Sequence, residues 1–192
     1  MSDMLTAETF ATTESVAEGG SEESTEKSAA EIIAIFNQCF AQSCRVEMRG
    51  GADEPLYVPA TIDKPAELIF REDFPASALH EAAHWCIAGE QRRQSADFAY
   101  SYIAAPRSDA EQALFFAAEL RTQSLESVFA QAANVIFSPS ADNLNCDVSA
   151  FAGAIAGYRT KTQRWLNTPA GIRAMQFCLA LAELKEGGSA NG

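Results

Sequence analysis

The sequence predicts an α+β fold, a single compact domain with helices around a small sheet. Three observations predict it. Two short apolar segments, CRVEMRGG and ELIFRE, sit in the first half among Gly and Pro residues. Long stretches rich in Ala, Leu, Glu and Gln fill the second half. The two kinds of segment interleave without a regular strand–helix–strand repeat, and that pattern fits α+β better than a doubly wound parallel sheet.

The elements follow in chain order. Residues 1–27 carry seven acids and one base, with few apolar residues and no sustained periodicity. Such a stretch buries too little surface to offset its ordering entropy, so it reads as a disordered acidic tail. The domain is expected over 28–185. Its first helix starts at AAEIIAIFNQCF, where Ser28 is the N-cap and Glu31, three residues on, completes a capping box. CRVEMRGG reads as a strand closed by Gly50 and Gly51. DEPLYVPATIDKP, with three prolines, reads as an irregular connection, and ELIFRE as a second strand.

A helix is predicted from about Ala76 to Ala88. Asp73 or Pro75 marks its start, Ser77 is a further capping candidate, and Gly89 marks its end. SADFAYSYIAA alternates aromatic and small residues as a strand does. The stretch from Ser108 to Phe137 reads as helix, in one piece or two, stopped by Pro139. After the polar turn SADNLNCD, two more helices run from Val148 to Leu184 with a break near Asn167 to Gly171. Residues 186–192 read as a frayed tail.

Composition narrows the function. Hydrophobic residues make up 47% and charged residues 21% of the 192-residue chain, as in an ordinary globular protein. The formal net charge is −12, which argues against general nucleic-acid binding, since that relies on Lys and Arg to displace counterions from phosphates. No apolar run is long enough to cross a membrane. The start, MSDMLTAETF, lacks the basic and apolar regions of a secretory signal, so a cytoplasmic address is expected. The five cysteines are odd in number and form no CxxC pair, which points to reduced, mostly buried thiols rather than disulfides or a zinc knuckle.

The chemistry concentrates in Ser77-Ala78-Leu79-His80-Glu81-Ala82-Ala83-His84-Trp85-Cys86. The only two histidines of the chain, His80 and His84, are four residues apart. On a helix that spacing puts both imidazoles on one face, one turn apart, where they can share a metal ion. Glu81 points about 100° round the helix from His80, so it can approach the open side of the metal without ligating it. This is the HExxH pattern.

Two histidines hold a catalytic metal poorly, and with no third histidine the next ligand falls to a carboxylate or, as a weaker alternative, a thiolate. Glu111, Glu119, Glu126, Asp97, Asp142 and Asp147 are all candidates. Glu119 stands out because it sits in the apolar helical stretch Ala113 to Leu120. A His2Glu zinc hydrolase, peptidase or ribonuclease with Glu81 as general base, and a non-haem iron oxygenase both fit this residue set. A binding domain with a structural metal is a third reading. No His-X-Asp sequence of the 2-oxoglutarate type occurs.

Beyond HExxH, the chain resembles the bacterial elongation factor P hydroxylases. The resemblance runs through Asp53-Glu54-Pro55-Leu56-Tyr57-Val58-Pro59-Ala60, Ala76 to Glu81 and His84-Trp85-Cys86-Ile87-Ala88-Gly89. It continues with Arg92-Arg93, Asp97-Phe98, Tyr100, Tyr102, Asp142-Asn143-Leu144 and Asp147, covering roughly residues 30 to 185. It implies a fold similar to the YbeY-type metalloproteins. It also implies a two-histidine, one-carboxylate site of His80, His84 and Glu119, with Fe(II) or another divalent metal. The implied activity is oxygen-dependent hydroxylation of elongation factor P on a lysine that already carries a β-lysyl group. The segment before Glu119, Leu114-Phe115-Phe116-Ala117-Ala118, departs from the family pattern.

Other residues in the resemblance have structural readings beside the functional ones. Trp85 and Tyr57 read as core residues. Asp142 and Asn143 suit a turn. Asp97 is either a partner for an imidazole N–H or an acid at a strand edge. Arg92 and Arg93 follow a helix C-terminus, where positive charge is favourable, and could also touch an acidic partner.

Overall fold

A computed structural model describes residues 26–99, 106–142 and 147–183. The expected tails, through residue 25 and over 186–192, lie outside the described residues, as do Tyr100, Tyr102, Asn143, Leu144 and Cys146. Within them, five helices and a three-stranded sheet give the α+β class.

Helix α1 spans Ala29–Cys44 and opens on the expected capping box: Ser28 Oγ accepts from Glu31 N, and Ser28 N donates to Glu31 Oε2 at 2.9 Å. Ile32, Phe36 and Phe40 recur every four residues and are buried. Arg45, in the left-handed region at φ 50°, turns the chain into β1, Val46–Ala52. Strand β3, Ala66–Arg71, lies in the middle of the sheet, parallel to β1 on one side and antiparallel to β2, Leu56–Val58, on the other. The connection expected to be irregular therefore contains a strand. Three residues between Pro55 and Pro59 leave little period to read, and the flanking prolines are tolerated because β2 is an edge strand. The register of β1 on β3 shifts between Arg49 and Ala52, where Gly50 approaches Glu72 O so closely that a Cβ would sit 2.7 Å from it.

Helix α2 spans Pro75–Ile87. Neither Asp73 nor Ser77 caps it; Phe74 is the N-cap without a side-chain bond, and Pro75 takes the first turn, where its missing N–H costs nothing. At the other end Ala88 is extended, so Gly89 is not used as a left-handed cap. Arginines do that work instead: Arg93 donates to Ala88 O, and Arg173 donates to both Cys86 O and Ala88 O. Arg92 donates to Phe98 O, so both residues of the Arg92-Arg93 pair are engaged within the chain.

The strand predicted over 95–105 is not formed at its start. Residues 96–99 make a 3₁₀ turn in which Asp97, Phe98 and Ala99 have φ of 46°, 56° and 54°; residues 100–105 are outside the described set. Side-chain bonds override the alternating pattern: Asp97 Oδ1 accepts from the distant Tyr57 N at 2.9 Å while Arg92, nearby in sequence, holds the Phe98 carbonyl.

Helix α3, Asp109–Ala133, is one unbroken piece that starts on a second capping box, Ser108 with Glu111. It ends at Asn134, left-handed at φ 57°, before Pro139 is reached. Helices α4, Ser149–Leu166, and α5, Ile172–Ala182, are joined by a turn over Pro169–Gly171 near the predicted break. The core lies between the sheet, covered by α1 and α2, and the helices α3 and α5 that pack against those two. Phe36 packs edge-on against Trp85 at 5.3 Å between ring centroids, and Phe129 against Phe177 at 5.1 Å. Trp85 and Tyr57 are both buried, as core residues should be.

Candidate metal centre

The centre is built by α2 packed on α3. His80 and His84 project from one face of α2 with their Nε2 atoms 3.1 Å apart. Glu119 of α3 faces both: Oε2 is 3.6 Å from His80 Nε2, and Oε1 is 3.5 Å from His84 Nε2. One donor atom from each of the three residues lies within 4.8 Å of the others. Glu119 is buried at 4% side-chain exposure, whereas the imidazoles keep 26% and 21%. The carboxylate thus forms the floor of the site, and the rings form its mouth.

The donor set fits a cation. Glu119 Oε2 is buried and has no hydrogen-bond partner among the described residues. A buried carboxylate oxygen without a hydrogen bond is expensive unless something positive stands close to it. Two imidazole nitrogens and that oxygen converge on one point, and hard-to-borderline divalent metals take such a mixture.

The other candidate carboxylates are placed elsewhere. Glu111 caps α3, Asp97 accepts from Tyr57 N, Asp142 pairs with Arg107 at 3.0 Å, and Asp147 accepts from Ser149 N. Glu126 is near the centre but on the far side of a ring: its Oε2 lies 2.8 Å from His80 Nδ1. That contact was not legible in the sequence, although Glu126 stands two helical turns from Glu119 on the same helix. Phe98 was missed too. It is buried, stacks on Tyr57 at 4.2 Å and lies nearly parallel to His84 at 6.4 Å, giving the centre an aromatic wall.

Electrostatics separates the two histidines. Burial works against charge on His80, but the hydrogen bond and charge of Glu126, with Glu81 and Glu119 beside it, raise its pKa to about 10. His84 is held well below the usual histidine range by burial, by the charge on His80 and by Arg92. Burial pushes the Glu81 carboxyl up to about 7, with the neighbouring carboxylates adding to the effect and His80 opposing it. Burial likewise raises Glu119. Among the described cysteines, buried Cys86 has its thiol pushed far up by burial and is unsuited to act as a nucleophile, while Cys39 and Cys178 are half-buried and Cys44 is exposed. The expectation of mostly buried thiols therefore holds in full for Cys86 alone among those four.

Fold and site together define a class: an α+β protein with a candidate mononuclear centre of two histidines from one helix and one carboxylate from the next. The chain belongs to the elongation factor P hydroxylase family, whose model matches residues 35–189. A relative from Haemophilus influenzae, described as an elongation factor P lysine hydroxylase, is 46% identical over 116 residues, covering 60% of this chain and 65% of the relative.

Proposed function

We propose that the protein is an oxygen-dependent, metal-containing hydroxylase acting on the β-lysylated lysine of elongation factor P. The observation that carries this reading is the convergence of His80, His84 and buried Glu119 in a chain of this family. The three residues would hold Fe(II), because two imidazoles and a carboxylate on one side of an ion leave its other positions open. When bound, that ion supplies oxygen activation. The chain's residues supply position, exclusion of water and proton handling. Phe98, backed by Tyr57, presents apolar surface to one side of the His84 ring. Glu81, adjacent to His80 and with its carboxyl near 7, can take up or release a proton at its Oε atoms close to neutral pH. A protein with this substrate works in the cytoplasm, and no helix among the described residues is long and apolar enough to cross a membrane.

The same position of Glu81 also suits a general base in a zinc-dependent hydrolase, so metal identity decides between the readings. Anaerobic purification followed by elemental analysis should find iron. Incubation of the Fe(II) protein with β-lysylated elongation factor P, isotopically labelled oxygen and an added two-electron reductant such as ascorbate should place one labelled oxygen atom on the substrate and release the other as water. His80→Ala and His84→Ala should each abolish metal binding and the added mass while keeping the fold. Zinc in the purified protein together with cleavage of a peptide or RNA would favour the hydrolase, and full occupancy and activity in either histidine variant would misplace the site.

A further inference from the structure

We infer that Glu126 is a positioning residue of this centre: its carboxylate, bonded to His80 Nδ1, commits the Nε2 edge of that ring to the metal and sets the affinity of the site. The inference rests on the metal-binding reading of His80, His84 and Glu119. A neutral imidazole carries its proton on either nitrogen, and only the bare nitrogen can bind an ion. Glu126 Oε2 lies 2.8 Å from His80 Nδ1. A carboxylate there accepts from Nδ1–H, so when the ring gives up its second proton to a metal it is the Nε2 lone pair that is bared, on the edge facing His84 and Glu119. The partner is well placed to hold that state, since its side chain is only 9% exposed. Glu119 and Glu126 are seven residues apart, about two turns, so one face of α3 supplies both carboxylates.

Glu126 is not itself part of the converging trio. The ring of His80 stands between its carboxylate and the point where the two Nε2 atoms and Glu119 meet. What remains for Glu126 is to orient the ring and, by its negative charge on the N–H, to make Nε2 a stronger donor. Carboxylates in this relation to a metal-binding histidine typically contribute 10- to 100-fold in affinity.

The test uses the full chain and Zn(II) as a diamagnetic probe, with affinity read by competition against a chelator. Glu126→Gln keeps the size of the side chain and removes its charge. It should bind zinc about 10- to 100-fold more weakly, while X-ray absorption still shows two imidazoles on the ion. Glu126→Asp should recover part of the affinity, and it carries the test if the Gln variant folds poorly. In the wild type, nitrogen shifts of the zinc-loaded protein should place the ion on Nε2 of His80. A lower melting temperature with unchanged affinity would reduce Glu126 to a structural partner and overturn the proposal. So would loss of an oxygen ligand from the zinc in Glu126→Gln, since Glu126 would then be a ligand. His80→Ala serves as the separate control: if it binds zinc as tightly as the wild type, the metal-binding reading fails, and the role of Glu126 with it.

Discussion

Glu119 is a carboxylate kept where water cannot solvate it. It is 3% exposed, burial raises its pKa, and one of its oxygens has no hydrogen-bond partner among the described residues. Such a group costs stability in the metal-free protein, because the fold favours its neutral form. The stabilising contribution of that neutral form is present below the unfolded carboxyl pKa and is lost as pH rises through the raised folded value. Glu119→Gln should therefore leave the metal-free protein about as stable as the wild type, or more so, by equilibrium denaturation at neutral pH. The same variant should lose nearly all affinity for a divalent metal, because a neutral amide is a weak ligand. A marked loss of stability with metal binding intact would show that Glu119 is a structural residue. The sequence made Glu119 conspicuous only as an acid in an apolar stretch, and the same signal fits a solvated face. What sequence could not supply is that α3 buries a polar face: Gln112, Thr122, Gln123, Ser124, Glu126 and Ser127 are buried with it. Several of these are satisfied by specific partners, such as Gln123 bonding both the N–H and the carbonyl of Ser140, and such pairings exist only once the chain is folded.

Among the elements, legibility followed the range of the interactions that fix them. Both capping boxes, Ser28 with Glu31 and Ser108 with Glu111, depend on contacts three residues apart, and the sequence names the first outright. The start of α2 has no such local signal, and its end is held by Arg173 from a distant helix, so the expected caps at Asp73, Ser77 and Gly89 are not the ones used. Strand β2 and the turn at 96–99 are likewise set by a contact forty residues apart in sequence, Tyr57 N to Asp97 Oδ1. The break between α4 and α5 was readable because Pro and Gly fall there, and Gly171 shows why Gly is needed. A Cβ at that position would lie 2.2 Å from Trp165 O, a backbone atom that cannot move aside without unwinding the end of α4. Gly171→Ala should destabilise the protein by about 2 kcal/mol or more, in the range of overpacked sites. A denaturant midpoint equal to that of the wild type would show that the turn has room the structure does not reveal.

For the molecule as a whole, the candidate centre would do more than hold an ion, because its donors come from two different helices. His80 and His84 belong to α2, and Glu119 belongs to α3. A metal bound by all three would tie these two helices, which already pack on each other, together. The unfolded chain holds the two histidines near each other but not the carboxylate, which lies thirty-five residues beyond His84. Metal should therefore bind the native state in strong preference. By mass action, a free metal concentration one hundred times the dissociation constant adds about 2.7 kcal/mol. For a domain of this size that corresponds to a rise in melting temperature of about 5–10 °C. Calorimetry of the chelator-treated protein, with and without added Fe(II) under anaerobic conditions, should show that rise. The shift should vanish in His80→Ala and in Glu119→Gln, which remove one donor from each side of the helix pair. If the shift survives in Glu119→Gln but not in His80→Ala, the ion sits on α2 alone and does not bridge the helices.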